Sequence, residues 1–192
     1  VLNPDACAPE SAIQLLAKTL DESPKAGAVG GYVNGGYLPR PVATPWSLIR
    51  ENLGARPATV DARVVGQAAA AALLVRRKAF DAISGFDERF VPAWYEDVDF
   101  CKRLGDAGWD VLFERNAEFP HEGGYAMKAL GPGRFAAAYY RNQLRYIAKH
   151  YGRAPLLPVR LSIAAGMAAR ALKSPSKAGD YAQAAWGALA RW

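Results

Sequence analysis

Apolar runs and amphipathic stretches of helical period alternate from Pro9 to His121, and from about residue 133 only the helical period is left. Such alternation builds an α/β sheet covered by helices, followed here by a helical tail. Pro9 to Leu20 sets Ile13, Leu16 and Leu20 near helical spacing behind a proline suited to a first turn. "AGAVGGYV" (26–33) reads as a short buried strand, and Asn34 to Pro45, rich in Gly and Pro, as an irregular loop placed to border a site. "AAAAALLV" (68–75) is expected as a central strand, with helix left open because of its alanines. A short helix begins over Arg76 to Ile83 and stops at Ser84-Gly85.

The segment "YEDVDFCKRLGDAGW" is a clearer helix, with Val98, Cys101 and Leu104 on one face and acids at its start. "DVLFE" and "AEFPHE" read as strand and strand-end. From Ala136 to Tyr151, Tyr140, Leu144, Ile147 and Tyr151 form an apolar stripe while Arg141, Arg145 and Lys149 recur on another. Helices over Leu156 to Leu172 and Ala178 to Ala190 follow, separated by the breaker-rich "KSPSKAGD".

A chain of 192 residues can bury a sizeable core, and one globular domain is the default expectation. Its most apolar late stretch, Pro155 to Leu172, is broken by Arg160 and Arg170, so no membrane-spanning segment is expected. The opening "VLNPDACAPES" does not have the basic and apolar regions of a signal peptide. Cys7 and Cys101 set no disulfide framework and no metal-ligand spacing, which fits a reducing, cytoplasmic setting. Charge is divided unevenly. From Gly133 onward ten basic residues face one acid, Asp180, a net +9, so the chain's +6 leaves −3 for residues 1–132. A basic tail on a mildly acidic body suits an anionic partner, a membrane surface or nucleic acid. Nucleic acid is disfavoured, because no recognition pattern accompanies the charge.

Three polar points fall at the ends of expected strands or the starts of helices: Asn3 and Asp5 in "LNPDA", Glu96, Asp97 and Asp99 in "YEDVDF", and His121 in "PHEGG". Ligands of open α/β sheets bind at such ends. Taken singly, each has an ordinary structural reading: Asp5 as a turn residue, Glu96 and Asp97 as helix-start acids, His121 as a structural histidine.

In order, "LNPDA", "AALLVRRKAF", "GFDERF", "YEDVDFCKRLGDAGW" and "VLFERNAEFPHEGG" resemble the family 2 glycosyltransferases of the GT-A fold, especially the bacterial rhamnosyltransferase-like members. The resemblance covers about Leu2 to Gly124, and "YYRNQLRYIAKHYG" resembles their post-catalytic helix. It implies a Rossmann-like nucleotide-diphospho-sugar transferase fold and inverting transfer from a nucleotide-sugar donor to a glycan or lipid-linked acceptor. "NPD" stands where the family carries its DXD-type motif, implying Asp5, with Asn3 as the weaker contact, and His121 as ligands of a divalent cation, Mg2+ or Mn2+. Asp97 matches the general base. Glu96, Asp87 and Trp94 are implied at the acceptor, beside their plainer readings as a turn cap for Asp87 and a core aromatic for Trp94. Two departures from the family pattern are the neutral Asn3 and Glu122, which replaces a second histidine.

Family members begin with a nucleotide-binding βαβ region, so the expectation is a partial fold lacking that N-terminal half. Residues 1–132 then form the acceptor-side catalytic part and 133–192 a basic amphipathic helical region. That region would hold the enzyme on the cytoplasmic face of an anionic membrane. The reading from another class is a non-catalytic membrane-peripheral or interaction module.

Overall fold

The computed structural model describes residues 1–34, 37–121, 123 and 129–189. Glu122 and Ala190, which figure in the motif and helix expectations above, lie outside them. The chain divides into two compact units, residues 1–43, 58–87 and 96–123 in one, and 44–57, 88–95 and 124–192 in the other.

The first unit is a mixed sheet between helices. Its elements are α1 (Glu10–Asp21), β1 (Ala26–Val33), β2 (Val64–Val65), β3 (Leu73–Val75), α3 (Arg77–Ala82), α4 (Glu96–Asp106) and β4 (Asp110–Phe119), with α2 (Pro45–Asn52) belonging to the other unit. The strand order is β2-β4-β1-β3, with β1 and β4 parallel at the centre and antiparallel strands at both edges. Side chains alternate across these strands. Val29, Val33, Leu112 and Phe119 meet Leu16 and Leu20 of α1 in one buried cluster. Ala28, Val111 and Phe113 meet Phe100, Cys101 and Leu104 of α4 in another. Covering on both faces explains why "AGAVGGYV" is an almost unbroken apolar run rather than an alternating one. Each fully buried Leu or Phe contributes about 1.5–3 kcal/mol of transfer free energy.

One expectation is corrected. "AAAAALLV" is neither a full central strand nor a helix: only Leu73–Val75 is extended, last in the strand order, with Val1 and Leu2 bonded beside Leu73 and Ala72 on its outer side. The alanines before it have no branched side chains to fill a pleated surface. They turn instead, Ala72 N–H donating to Ala69 C=O at 3.4 Å, and Ala68 lies so close to β1 that a Cβ on Gly30 would stand 2.5 Å from its own. "DVLFE" and "AEF" form one strand, as expected of strand and strand-end, with a register shift between them: Gly31 pairs with Glu114 and Tyr32 with Glu118.

The second unit is helical, with α2 (Pro45–Asn52), α5 (Pro132–Tyr151), α6 (Leu156–Lys173) and α7 (Ala178–Leu189), the last two separated by a 3-10 turn at Pro175–Lys177. Thr44 caps α2 in a reciprocal box with Ser47. The expected apolar stripe of α5 is packed inward, with Leu144 and Ile147 fully buried and Tyr140 nearly so. Polar side chains also meet inside: Asn52 Nδ2 donates to Gln143 Oε1 (2.9 Å) and Ser162 Oγ (3.0 Å), and Gln143 Nε2 donates to Tyr95 Oη at 2.8 Å.

The basic stripe of α5 is turned onto the chain itself. Arg141 donates to the Val91 carbonyl at 2.8 Å, Arg145 to the Arg89 carbonyl and to Asn142 Oδ1, and Lys149 lies over the Phe90 ring. Among the described residues no helix is long and apolar enough to cross a membrane.

Candidate active site

The expected metal residues come together because the chain after Leu2 is zipped to the end of β4. Asn3 N–H donates to Ala71 C=O (3.1 Å), Cys7 N–H to Pro120 C=O (2.8 Å), and Ala6 bridges His121. This sets Asp5 Oδ1 3.1 Å from His121 Nε2, with Asn3 Nδ2 3.3 Å from the same nitrogen. The imidazole is 4% exposed, and its other nitrogen, Nδ1, is buried without a hydrogen-bond partner among the described residues. Its backbone N–H donates to Asn34 Oδ1 at 2.5 Å, and the Tyr37 ring meets its edge at 5.6 Å.

Asp97 sits at the start of α4. Its Oδ1 accepts from Val98 N–H at 2.8 Å and its Oδ2 from Ala70 N–H at 3.4 Å. Ala70 is followed by Ala71, whose carbonyl anchors Asn3, so neighbouring residues of one turn hold both the acid and the "NPD" loop. Burial pushes the Asp97 carboxyl above the usual carboxylate range, against the backbone hydrogen bonds and the Arg40 charge, which pull it down. A carboxylate made more basic in this way is better matched to accepting a proton near neutral pH.

The other expected site residues are placed differently. Glu96 and Asp87 are partly buried in the same unit. Trp94 belongs to the helical unit, where its ring packs edge-on against Phe135 with centroids 4.1 Å apart. Trp94 and Tyr95 have φ of 69° and 73°, a left-handed backbone that costs of order 1–3 kcal/mol per residue, just before the acidic helix start. Asp99 is fully buried and its carboxylate accepts from Arg103 Nε at 2.7 Å, a structural pairing. Sequence reasoning did not single out Asn34, Tyr37 or Arg40. Their only signal was membership of the irregular loop expected to border a site.

Chemically, the cluster offers one carboxylate, one imidazole and one amide within about 3.3 Å of a common nitrogen. Donors bound at about 2.1 Å and at right angles around one cation stand about 3 Å apart, so the 3.1 Å between Asp5 Oδ1 and His121 Nε2 suits a divalent ion. Among the described residues no three His, Cys, Asp or Glu side chains converge; the Asn3 atom nearest the imidazole is the amide Nδ2, so only its Oδ1, turned inward, could serve a cation as a third ligand. The thiol of Cys101 is out of reach of such chemistry, since burial pushes it up to about 12. A cavity of about 280 Å³ beside Val65, Cys101 and Trp109 contains none of these residues.

No protein-family model matches the chain. It is 33% identical over 179 residues to the N-acetylglucosaminyl-diphospho-decaprenol L-rhamnosyltransferase of Mycobacterium tuberculosis, in strains CDC 1551 / Oshkosh and ATCC 25618 / H37Rv. The match takes in 81% of this chain and 57% of the relative's own length, so the chain spans little more than half of the curated proteins it resembles. By sequence, then, the chain is a relative of the rhamnosyltransferase-like glycosyltransferases.

Proposed function

We propose that this chain is the acceptor-side, catalytic part of a family 2, GT-A-type inverting glycosyltransferase, with residues 1–132 as its catalytic body and 133–192 as its basic helical region. The observation carrying this reading is that Asn3, Asp5 and His121 meet at the strand ends while a neighbouring turn holds Asp97, a partly buried carboxylate of raised basicity. The relative's name suggests L-rhamnose as the sugar and a saccharide linked through diphosphate to a polyprenol as acceptor, and the family resemblance suggests that the sugar comes from a nucleotide diphosphate. The place of work is the cytoplasmic face of the membrane.

In this reading Asp97 takes the proton of the acceptor hydroxyl as that oxygen forms its bond to the anomeric carbon. The bond from that carbon to the donor diphosphate breaks, and the electron pair leaves with the phosphate. A single displacement inverts the anomeric centre. Asp5 and His121, with Asn3, would hold Mg2+ or Mn2+, which when bound offsets negative charge on the leaving diphosphate. Asn34 and Tyr37 fix the imidazole backbone and ring, Arg40 tempers the Asp97 carboxyl, and Glu96 and Asp87 flank the acceptor side.

Transfer of labelled sugar from a nucleotide donor to a polyprenol-linked acceptor tests the reading, using an enzyme preparation that carries this chain. Activity should fall with chelator, return with Mg2+ or Mn2+, and be lost in Asp5→Asn together with metal-dependent protection of His121 from carbethoxylation. Full activity in that variant would remove the metal assignment.

A further inference from the structure

α6 carries an apolar stripe that faces away from the protein. Leu157, Leu161 and Leu172 are 65%, 56% and 84% exposed, and Ala165 and Ala168 between them are exposed too. At 1.5 Å per residue the five recur every three to four positions along about 22 Å of one helix face. The opposite face, Val159, Ser162, Ile163, Gly166 and Met167, is buried, so this helix is largely apolar on both faces, and its outward stripe has no charged residue. Packing accounts for the inner face and not for the outer one.

Charge brackets the stripe. Arg153 precedes it, Lys173 and Lys177 follow it, all exposed, and Asp180 is the one acid from residue 133 to the end of the chain. The neighbouring α7 adds Trp186, 72% exposed, a residue type that favours the boundary between water and hydrocarbon. A second copy of the chain fits poorly. Two such stripes laid together in either direction set Arg153 against Arg153 or against Lys173, like charge on like, whereas anionic headgroups complement both ends.

We infer that the outward face of α6 is a membrane-docking surface that lies in the headgroup boundary of an anionic bilayer, its leucines entering the acyl region and Arg153, Lys173 and Lys177 meeting phosphates. This locates the membrane contact on α6 rather than on the Arg141, Arg145, Lys149 stripe of α5, whose groups already serve carbonyls and a ring within the protein. Its purpose rests on the proposed lipid-linked acceptor.

Flotation with phosphatidylcholine vesicles containing phosphatidylglycerol tests it. The chain should float at low salt, lose most binding on pure phosphatidylcholine, and bind at least about tenfold more weakly as Leu161→Glu/Leu172→Glu, at unchanged melting temperature. Lys173→Glu/Lys177→Glu should weaken binding at low salt alone. In a Cys7→Ser background, an environment-sensitive fluorophore at Ala165→Cys should blue-shift on anionic vesicles, which keeps the test independent of the glutamate variant's folding. Equal flotation of wild type and the leucine variant, an unshifted label, or a wild-type dimer dispersed by Leu161→Glu with no vesicle binding would each overturn the inference. Sugar transfer to a short-chain, water-soluble acceptor should survive the leucine variant, so its loss with Asp97→Asn alone separates the docking surface from the proposed reaction.

Discussion

The two units handle polarity in opposite ways. In the sheet unit the interior is two apolar clusters, and the polar groups at the strand ends, Asp5, His121 and Asp97, leave a buried Nδ1 without a partner among the described residues and a carboxyl raised by burial. In the helical unit Asn52, Gln143 and Ser162 meet in the interior and satisfy one another, while Leu157, Leu161, Leu172 and Trp186 stand outside. Polar groups that answer each other hold a fold together; those left partly unanswered are available for a ligand. Substitutions should therefore affect catalysis without harming stability at the first unit's strand ends, and stability in the second unit's interior.

The sharpest way to break that contrast is Asp97→Asn. Loss of a positioned base should cut transfer by roughly 10²–10⁴-fold with substrate binding retained. Stability should move the other way. The folded carboxyl titrates above its unfolded value, so it favours the protonated state, and the stability present below the unfolded pKa is lost as pH rises through the folded one. At neutral pH the buried charge is a cost that Asn removes, so thermal denaturation at pH 7 should show no loss of melting temperature. The wild-type rate should also fall on the acid side as the same carboxyl protonates. A variant that is both active and destabilised would contradict the assignment of Asp97 as a functional rather than a structural acid.

Asp99, two residues on, supplies the control within the same helix. It is fully buried against Arg103, which also donates to the Ile83 carbonyl at 2.7 Å. Asp99→Ala strands a largely buried guanidinium and should cost about 3 kcal/mol in urea denaturation, with transfer per folded molecule nearly unchanged. Asp97 and Asp99 would then be told apart by opposite signatures, although in sequence both are acids at a helix start.

That pair shows where sequence is legible. α1, β1, α4 and the three late helices follow from periodicity, because each buries one stripe or two faces and the residues record it. The cluster of Asn3, Asp5 and His121 was legible only through the motif order, since residues 118 apart carry no local sign of contact. Asn34, Tyr37 and Arg40 were not legible, because their roles depend on how an irregular loop folds back and not on any period. The alanine run misled for a related reason: with so little side chain, its path is set by what surrounds it, here Gly30 and the turn that holds Asp97. Nor does the α5 stripe announce that its cations serve the carbonyls of residues 89 and 91.

The smallest effects sharpen the comparison most, because one substitution can be made in a helix of each unit. Gly166 of α6 and Gly105 of α4 are both helical glycines, and propensity alone favours alanine at each by up to about 1 kcal/mol. Their surroundings differ. A Cβ at Gly166 would stand 2.0 Å from the Asn52 carbonyl oxygen and 2.9 Å from its carbon, backbone atoms of a residue whose side chain anchors the buried polar network. Nothing lies within 4 Å of a Cβ at Gly105. Overpacking against backbone costs about 1–3 kcal/mol and outweighs the propensity gain, so Gly166→Ala should lose about 1–2 kcal/mol in chemical denaturation. Gly105→Ala, near its helix end, should gain about 0.5 kcal/mol. Equal signs at the two positions would mean that the close approach of α2 to α6 is not what holds the helical unit's interior polar groups in register.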